Sequence, residues 1–200
     1  AFRYAAEEMH VEVTKMLREY GYDIEKDKLR RKLEKQYGEF SVEEFIDVIE
    51  AGDVEAVTLF LQAGMDSCRP IEVRDYYGEI QITPLAAAVD YDNIEVADLL
   101  LEHGADPNKP LPDGMRPLST AVKGGALEWV QIFLDYGAEP NYRDSYLHCC
   151  PLETAAADSR SEAAKLLLEA GADPNTWYTR PPLMLALMAE NVSIELVELL

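Results

Sequence analysis

TPLAAAVDYDNIEVADLLLEHGADPN, residues 83–108, divides into two helices and the turns that close them. Pro84 is tolerated in a helix's first turn, because the N–H it lacks had no acceptor there. Leu85 to Val89 continue as a short alanine-rich helix. After a tight turn, Ile94 to Leu101 repeat apolar residues at helical spacing. Gly104 stands where such a helix ends in a left-handed turn that a side chain would strain, and Pro107-Asn108 opens a loop. One pair of this kind cannot bury its own apolar face, so it must stack on copies of itself.

The rest of the chain supplies the copies. The closing phrase recurs as EYGYDI (19–24), QAGMDS (62–67), DYGAEPN (135–141) and EAGADPN (169–175), with steps between successive glycines of 43, 40, 33 and 34. The helix start recurs as RPLSTAV (116–122), CPLETAA (150–156) and PPLMLAL (181–187). Alanines at 88, 121 and 155 permit close helix approach, while Leu99, Leu100, Phe133, Leu134, Leu166 and Leu167 are expected to fill the space between layers.

These phrases resemble the ankyrin repeat family, whose signature is a 33-residue period with a TPLHxA-like helix start and a GADxN-like end. The resemblance implies an all-α solenoid of stacked antiparallel helix pairs with short β-hairpin fingers. Residues 1–200 then form a single domain with repeats at about 1–24 (partial), 41–68, 83–108, 116–141, 150–175 and 181–200 (partial). The first copy lacks a Pro-Leu start and has Met9 where a turn glycine is usual, and the last stops inside its second helix. The expectation is that the native protein is longer, or that other material caps its ends, because terminal layers normally need polar outer faces.

Two insertions break the period. In EKDKLRRKLEKQYGEF (25–40), Leu29, Leu33 and Tyr37 recur every four residues, which predicts an amphipathic basic helix ended by Gly38. Ser41 and Glu44 form the pattern of a capping box for the next helix. In IEVRDYYGEIQI (71–82), apolar residues alternate on both sides of a short turn, which predicts an extended hairpin finger.

Composition limits the function. Eighteen Lys+Arg against 38 Asp+Glu give a net charge of −20, which argues against a nucleic-acid partner. Residues 41–200 hold 29 of the acids and nine of the bases. No apolar run reaches the roughly 18 residues of a membrane span, and no signal peptide is visible. Cys68, Cys149 and Cys150 are too few for a disulfide framework, so a reducing, cytoplasmic location is expected.

No nucleophile is paired with a base, so no enzyme, cofactor or metal is expected. His10 and His103 read as structural, and His148-Cys149-Cys150 lacks a second group with ligand spacing. The DPN phrases lack the ligand spacing of a calcium loop, and Gly124-Gly125 reads as a helix turn. The family pattern instead implies a concave protein-binding face. Glu50, Asp90, Tyr91, Lys123, Ala157 and Asp158 would close the first helices of the pairs. The fingers would present Tyr76, Tyr77, Pro112, Asp113, Met115, Tyr142, Tyr146, Trp177 and Tyr178, with aromatic anchors foremost. The expected function is non-catalytic binding of a basic partner protein through an acidic, aromatic-rich face, steered by charge. The other readings are a regulatory or targeting domain of a larger enzyme or effector, or an inhibitor masking a basic toxin or nuclease site. The sequence leaves oligomeric state open.

Overall fold

The computed structural model describes residues 23–75, 78–175 and 177–200. The expected copy at 1–24 therefore lies outside the described residues, apart from its last two. The chain divides into two compact units, residues 1–66 and 67–200.

In the first unit, α1 spans Ile24–Tyr37, α2 Val42–Glu50 and α3 Val54–Gln62. The Asp23 side chain caps α1 by accepting from the Glu25 and Lys26 amides, and Gly38 ends it at φ 106°, a left-handed conformation that favours glycine. Leu33 is fully buried, and Phe60 stacks against Phe40 and Phe45 at centroid distances of 5.4 and 5.6 Å. Arg30 belongs to this packing. Its Nε donates to the Ala63 carbonyl at 2.9 Å and its guanidinium lies 5.0 Å from the Phe40 ring centre, so it caps the carbonyl end of α3.

The second unit begins with an antiparallel hairpin of β1 (Ile71–Asp75) and β2 (Gly78–Ile82), in which Ile71 stands opposite Ile82 and Val73 opposite Ile80. Four helix pairs follow: α4 (Pro84–Asp90) with α5 (Ile94–Glu102), α6 (Pro117–Gly124) with α7 (Leu127–Asp135), α8 (Pro151–Ala157) with α9 (Ser161–Glu169), and α10 (Pro182–Met188) with α11 (Ile194–Leu199). First helices pack on first helices, α8 against both α6 and α10, while α9 packs between α7 and α11.

Small residues make that approach possible: Ala88, Ala155 and Ala156 have no exposed surface. Leu100, Phe133 and Leu167 are also fully buried, whereas Leu99, Leu134 and Leu166 are only half-buried. Adjacent helical residues are turned by about 100°, so only one of each expected pair points straight into the core. In the last pair Leu183, Met184, Leu187 and Ile194 are 40% exposed or more.

Polar links fix the register of neighbouring pairs. Asn108 donates to the Gly137 carbonyl (3.2 Å) and accepts from the Glu139 amide (2.9 Å); one repeat later Asn141 makes the same two bonds to Gly171 and Asp173 at 2.9 and 2.8 Å. The recurrent Pro-Asn is thus a bridge to the next loop as well as a loop former. Trp129 Nε1 donates to Asp92 at 2.7 Å, and the Tyr136 hydroxyl donates to Asp98 at 2.9 Å. That bond, helped by burial, pushes the Tyr136 phenol up to about 12.

The layered core makes a direct prediction. Leu100→Ala or Leu167→Ala should each cost about 2–5 kcal/mol, from lost burial plus the cavity left behind. The urea midpoint of each variant checks this, and an unchanged midpoint at either site contradicts its place in the core.

Candidate functional site

Apart from the exposed aliphatic residues of the last helix pair and Leu127, the second unit exposes large aromatic side chains where first helices end and loops begin. Tyr91 follows α4 and is 54% exposed; Tyr146, Trp177 and Tyr178 are 61%, 51% and 42% exposed on the loops before α8 and α10. Between these loops runs a groove of about 320 Å³, lined by Lys123 from α6, Leu147 and Cys149 from the loop, Thr154 and Ala157 from α8, and Leu185 from α10.

Two buried carboxylates shape the loops around it. Glu153, 1% exposed, accepts from the amides of Cys150 (2.8 Å), Tyr178 (3.1 Å), Thr179 (2.7 Å) and Arg180 (3.2 Å), and from the Thr179 hydroxyl (2.6 Å). Burial would raise its pKa. The Thr179 hydroxyl and the backbone amides outweigh that and hold the carboxyl below its ordinary range, because each donor favours the ionised form. Asp144, also 1% exposed, accepts from the Tyr146 and Leu147 amides (both 2.9 Å) and the Arg116 amide (3.2 Å). Burial is again opposed by those amides, and this carboxyl too is held low.

The expected site residues separate accordingly. Lys123, Ala157 and Asp158 border the groove. Lys123 Nζ lies 6.0 Å from the Tyr146 ring centre, and the Arg143 guanidinium 5.7 Å from that of Tyr178. Asp90 is exposed at the end of α4. Asp113 is exposed and its carboxylate accepts from the Met115 amide at 2.9 Å; Pro112 beside it is half-buried. Glu50 is half-buried at the end of α2 in the other unit. Tyr76 and Tyr77 lie outside the described residues, as does His10.

Met115 and Tyr142 depart from the expectation, being 5% and 8% exposed. The Tyr142 hydroxyl hydrogen-bonds Ser119 Oγ, and Arg116 covers the ring at 4.1 Å. Burial, the main cause, pushes the phenol up to about 12. Both side chains anchor their loops and present nothing to a partner.

The acidity is also placed differently from an acidic first-helix face. The second helices α5, α7, α9 and α11 carry nine acidic residues against Lys165 alone; the first helices α4, α6, α8 and α10 carry Asp90, Lys123 and the buried Glu153. Besides the buried Glu153, the acids near the groove are Asp158 and, in the neighbouring cavity, Glu190, both in turns.

Cys149 and His103 make local contacts. Cys149 Sγ lies 3.2 Å from Thr154 Oγ1, and burial raises its pKa. Burial likewise pushes Cys150 up to about 11, and a raised pKa makes a thiol less reactive. His103 Nδ1 contacts the Leu99 carbonyl at 2.8 Å, a helix-end bond. Among the described residues no group of three or more His, Cys, Asp or Glu is placed to hold a metal ion, and no helix is long and apolar enough to cross a membrane.

Sequence reasoning missed Glu153. Its signal was present: the equivalent positions in the other first helices hold Ala86, Ser119 and Met184, so a carboxylate there requires donors from elsewhere in the fold.

Because the folded Glu153 carboxyl titrates below the ordinary value of about 4.3, its ionised form stabilises the fold above that pH, and the contribution fades as pH falls through the depressed folded value. Glu153→Gln should cost about 1–3 kcal/mol at neutral pH, and the gap to wild type should close on acidification. Urea denaturation at several pH values checks this; a gap independent of pH contradicts it.

Comparison with known families matches residues 81–110 to the ankyrin repeat and residues 100–155 to ankyrin repeats in many copies. No curated protein gives a significant match to the chain. The helix pairs, the closing glycines and the asparagine bridges agree with those matches: residues 81–155 are ankyrin repeats, and the described residues fit an all-α ankyrin solenoid.

Proposed function

We propose that the chain is a protein-interaction module without chemistry of its own, and that its partner seats on the first-helix ends and loops of residues 67–200. Ankyrin repeats generally mediate protein–protein interaction and are typically non-catalytic. The observation that carries the reading is the set of exposed aromatics: Tyr146, Trp177 and Tyr178 on the loops that border an open groove, and Tyr91 at the end of α4. Large aromatic side chains left in water, three of them on loops held by buried carboxylates, fit interface anchors, because they bury much area and lose little entropy on binding.

The partner is basic. A net charge of −20 attracts a cationic surface during encounter, and Asp90, Asp158 and Glu190 supply contact acids at the turns. Among the first helices, α10 adds exposed apolar surface through Leu183, Met184 and Leu187.

The test compares faces. Photoreactive residues at 91 and 177 should crosslink the partner, whereas the same probes at 102 and 169 on the second helices should not. Tyr91→Ala and Trp177→Ala should each weaken binding by roughly 2 kcal/mol, against well under 1 for Glu102→Ala or Glu169→Ala. Capture through positions 102 and 169 alone would move the interface to the second helices. Reversal of Lys32 and Lys35 on α1 tests the basic helix separately; Arg30 is unsuitable because it caps α3.

A further inference from the structure

Two cavities meet at Ala157 and Asp158. One is the groove already described; the other, about 440 Å³, is walled by the turns that follow α8 and α10, with Asp158, Arg160, Glu190 and Asn191 among its residues. Their chemistry differs. Leu147, Ala157 and Leu185 give the first an apolar wall beside Glu153, whose buried carboxylate is already satisfied by the 178–180 loop, while the second presents the exposed carboxylates of Asp158 and Glu190.

The cations nearby are already engaged. Arg160 Nη2 donates to the Lys123 carbonyl at 2.8 Å, and the guanidinium lies so close over Gly125 that a β-carbon there would collide with it. Its charge therefore answers the carbonyl end of α6, and its Nε is 3.9 Å from Asp158, a loose pairing. Lys123 leans toward the Tyr146 ring. Glu190 forms no ion pair among the described residues.

We infer that the partner's bound segment is extended and carries an aliphatic or aromatic residue next to a lysine or arginine. The apolar side chain fills the groove against Leu147 and Leu185, and the neighbouring cation reaches Asp158 and Glu190. This rests on the interaction reading above and names the chemistry of the partner. An acidic segment would set carboxylates against carboxylates, and a wholly polar one would leave the apolar wall wet. Desolvating an apolar anchor supplies the affinity, and the adjacent charge pair supplies selection among apolar sequences.

The experiment is selection of a displayed library of random peptides on the full 200-residue chain, followed by titration of the most enriched sequence as a synthetic peptide. The expected sequences pair an apolar residue with Lys or Arg. Affinity should fall about tenfold or more when the peptide's basic residue becomes Gln, and equally with Glu190→Lys or with the milder Asp158→Asn. Leu185→Glu should abolish binding while helicity by circular dichroism is kept. Enriched sequences that are acidic or lack a basic residue, or affinities that ignore both charge changes, overturn the inference. If such sequences still lose affinity with Trp177→Ala, the interaction face stands and only the partner chemistry fails. Peptides indifferent to Trp177→Ala and Leu185→Glu, or no enrichment at all, defeat both.

Discussion

Glu153 is the interaction on which the exposed face of the second unit most depends. A carboxylate buried in a first helix would be costly if unpaired, yet it lies where the loop of the next repeat can offer the amides of Tyr178, Thr179 and Arg180. Helix α8 thereby fixes the backbone beside Trp177 and Tyr178. Asp144 does the same for Tyr146 and Leu147 one repeat earlier. Such anchoring removes loop entropy before any partner arrives, so binding need not supply it.

The core and the face are divided between the two helices of each pair. Second helices deliver the leucines and phenylalanine that join layers, and their outer sides carry most of the acid. First helices are small and nearly uncharged, which brings them close enough for loops from adjacent repeats to share one groove. Most of the helical charge thus resides in one set of helices, and the exposed aromatics lie on loops beside the other.

The repeats were legible because their marks are local. Pro-Leu starts a helix, glycine ends it, and both follow from backbone sterics within a few residues. Site details were less legible, because they depend on partners far along the chain. Tyr142 is buried by Ser119 and Arg116, which a loop aromatic does not announce, and Met115 turns inward beside it. Asn108 and Asn141 looked like loop formers, but their side chains reach 29 and 30 residues ahead. The leucine pairs showed the helix without showing which member faces the core. Glu153 was the readable exception, an acid in a slot otherwise filled by alanine, serine and methionine.

The central claim is that the loops bearing Tyr146, Trp177 and Tyr178 are held in place by buried carboxylates in the free protein. Amide hydrogen exchange on the free protein tests it most directly at Tyr146, Leu147, Tyr178, Thr179 and Arg180. The account predicts protection at these amides comparable to that in the body of α8, and its loss at 178–180 in Glu153→Gln. Exchange at the rate of an unstructured peptide in the wild-type protein would contradict it.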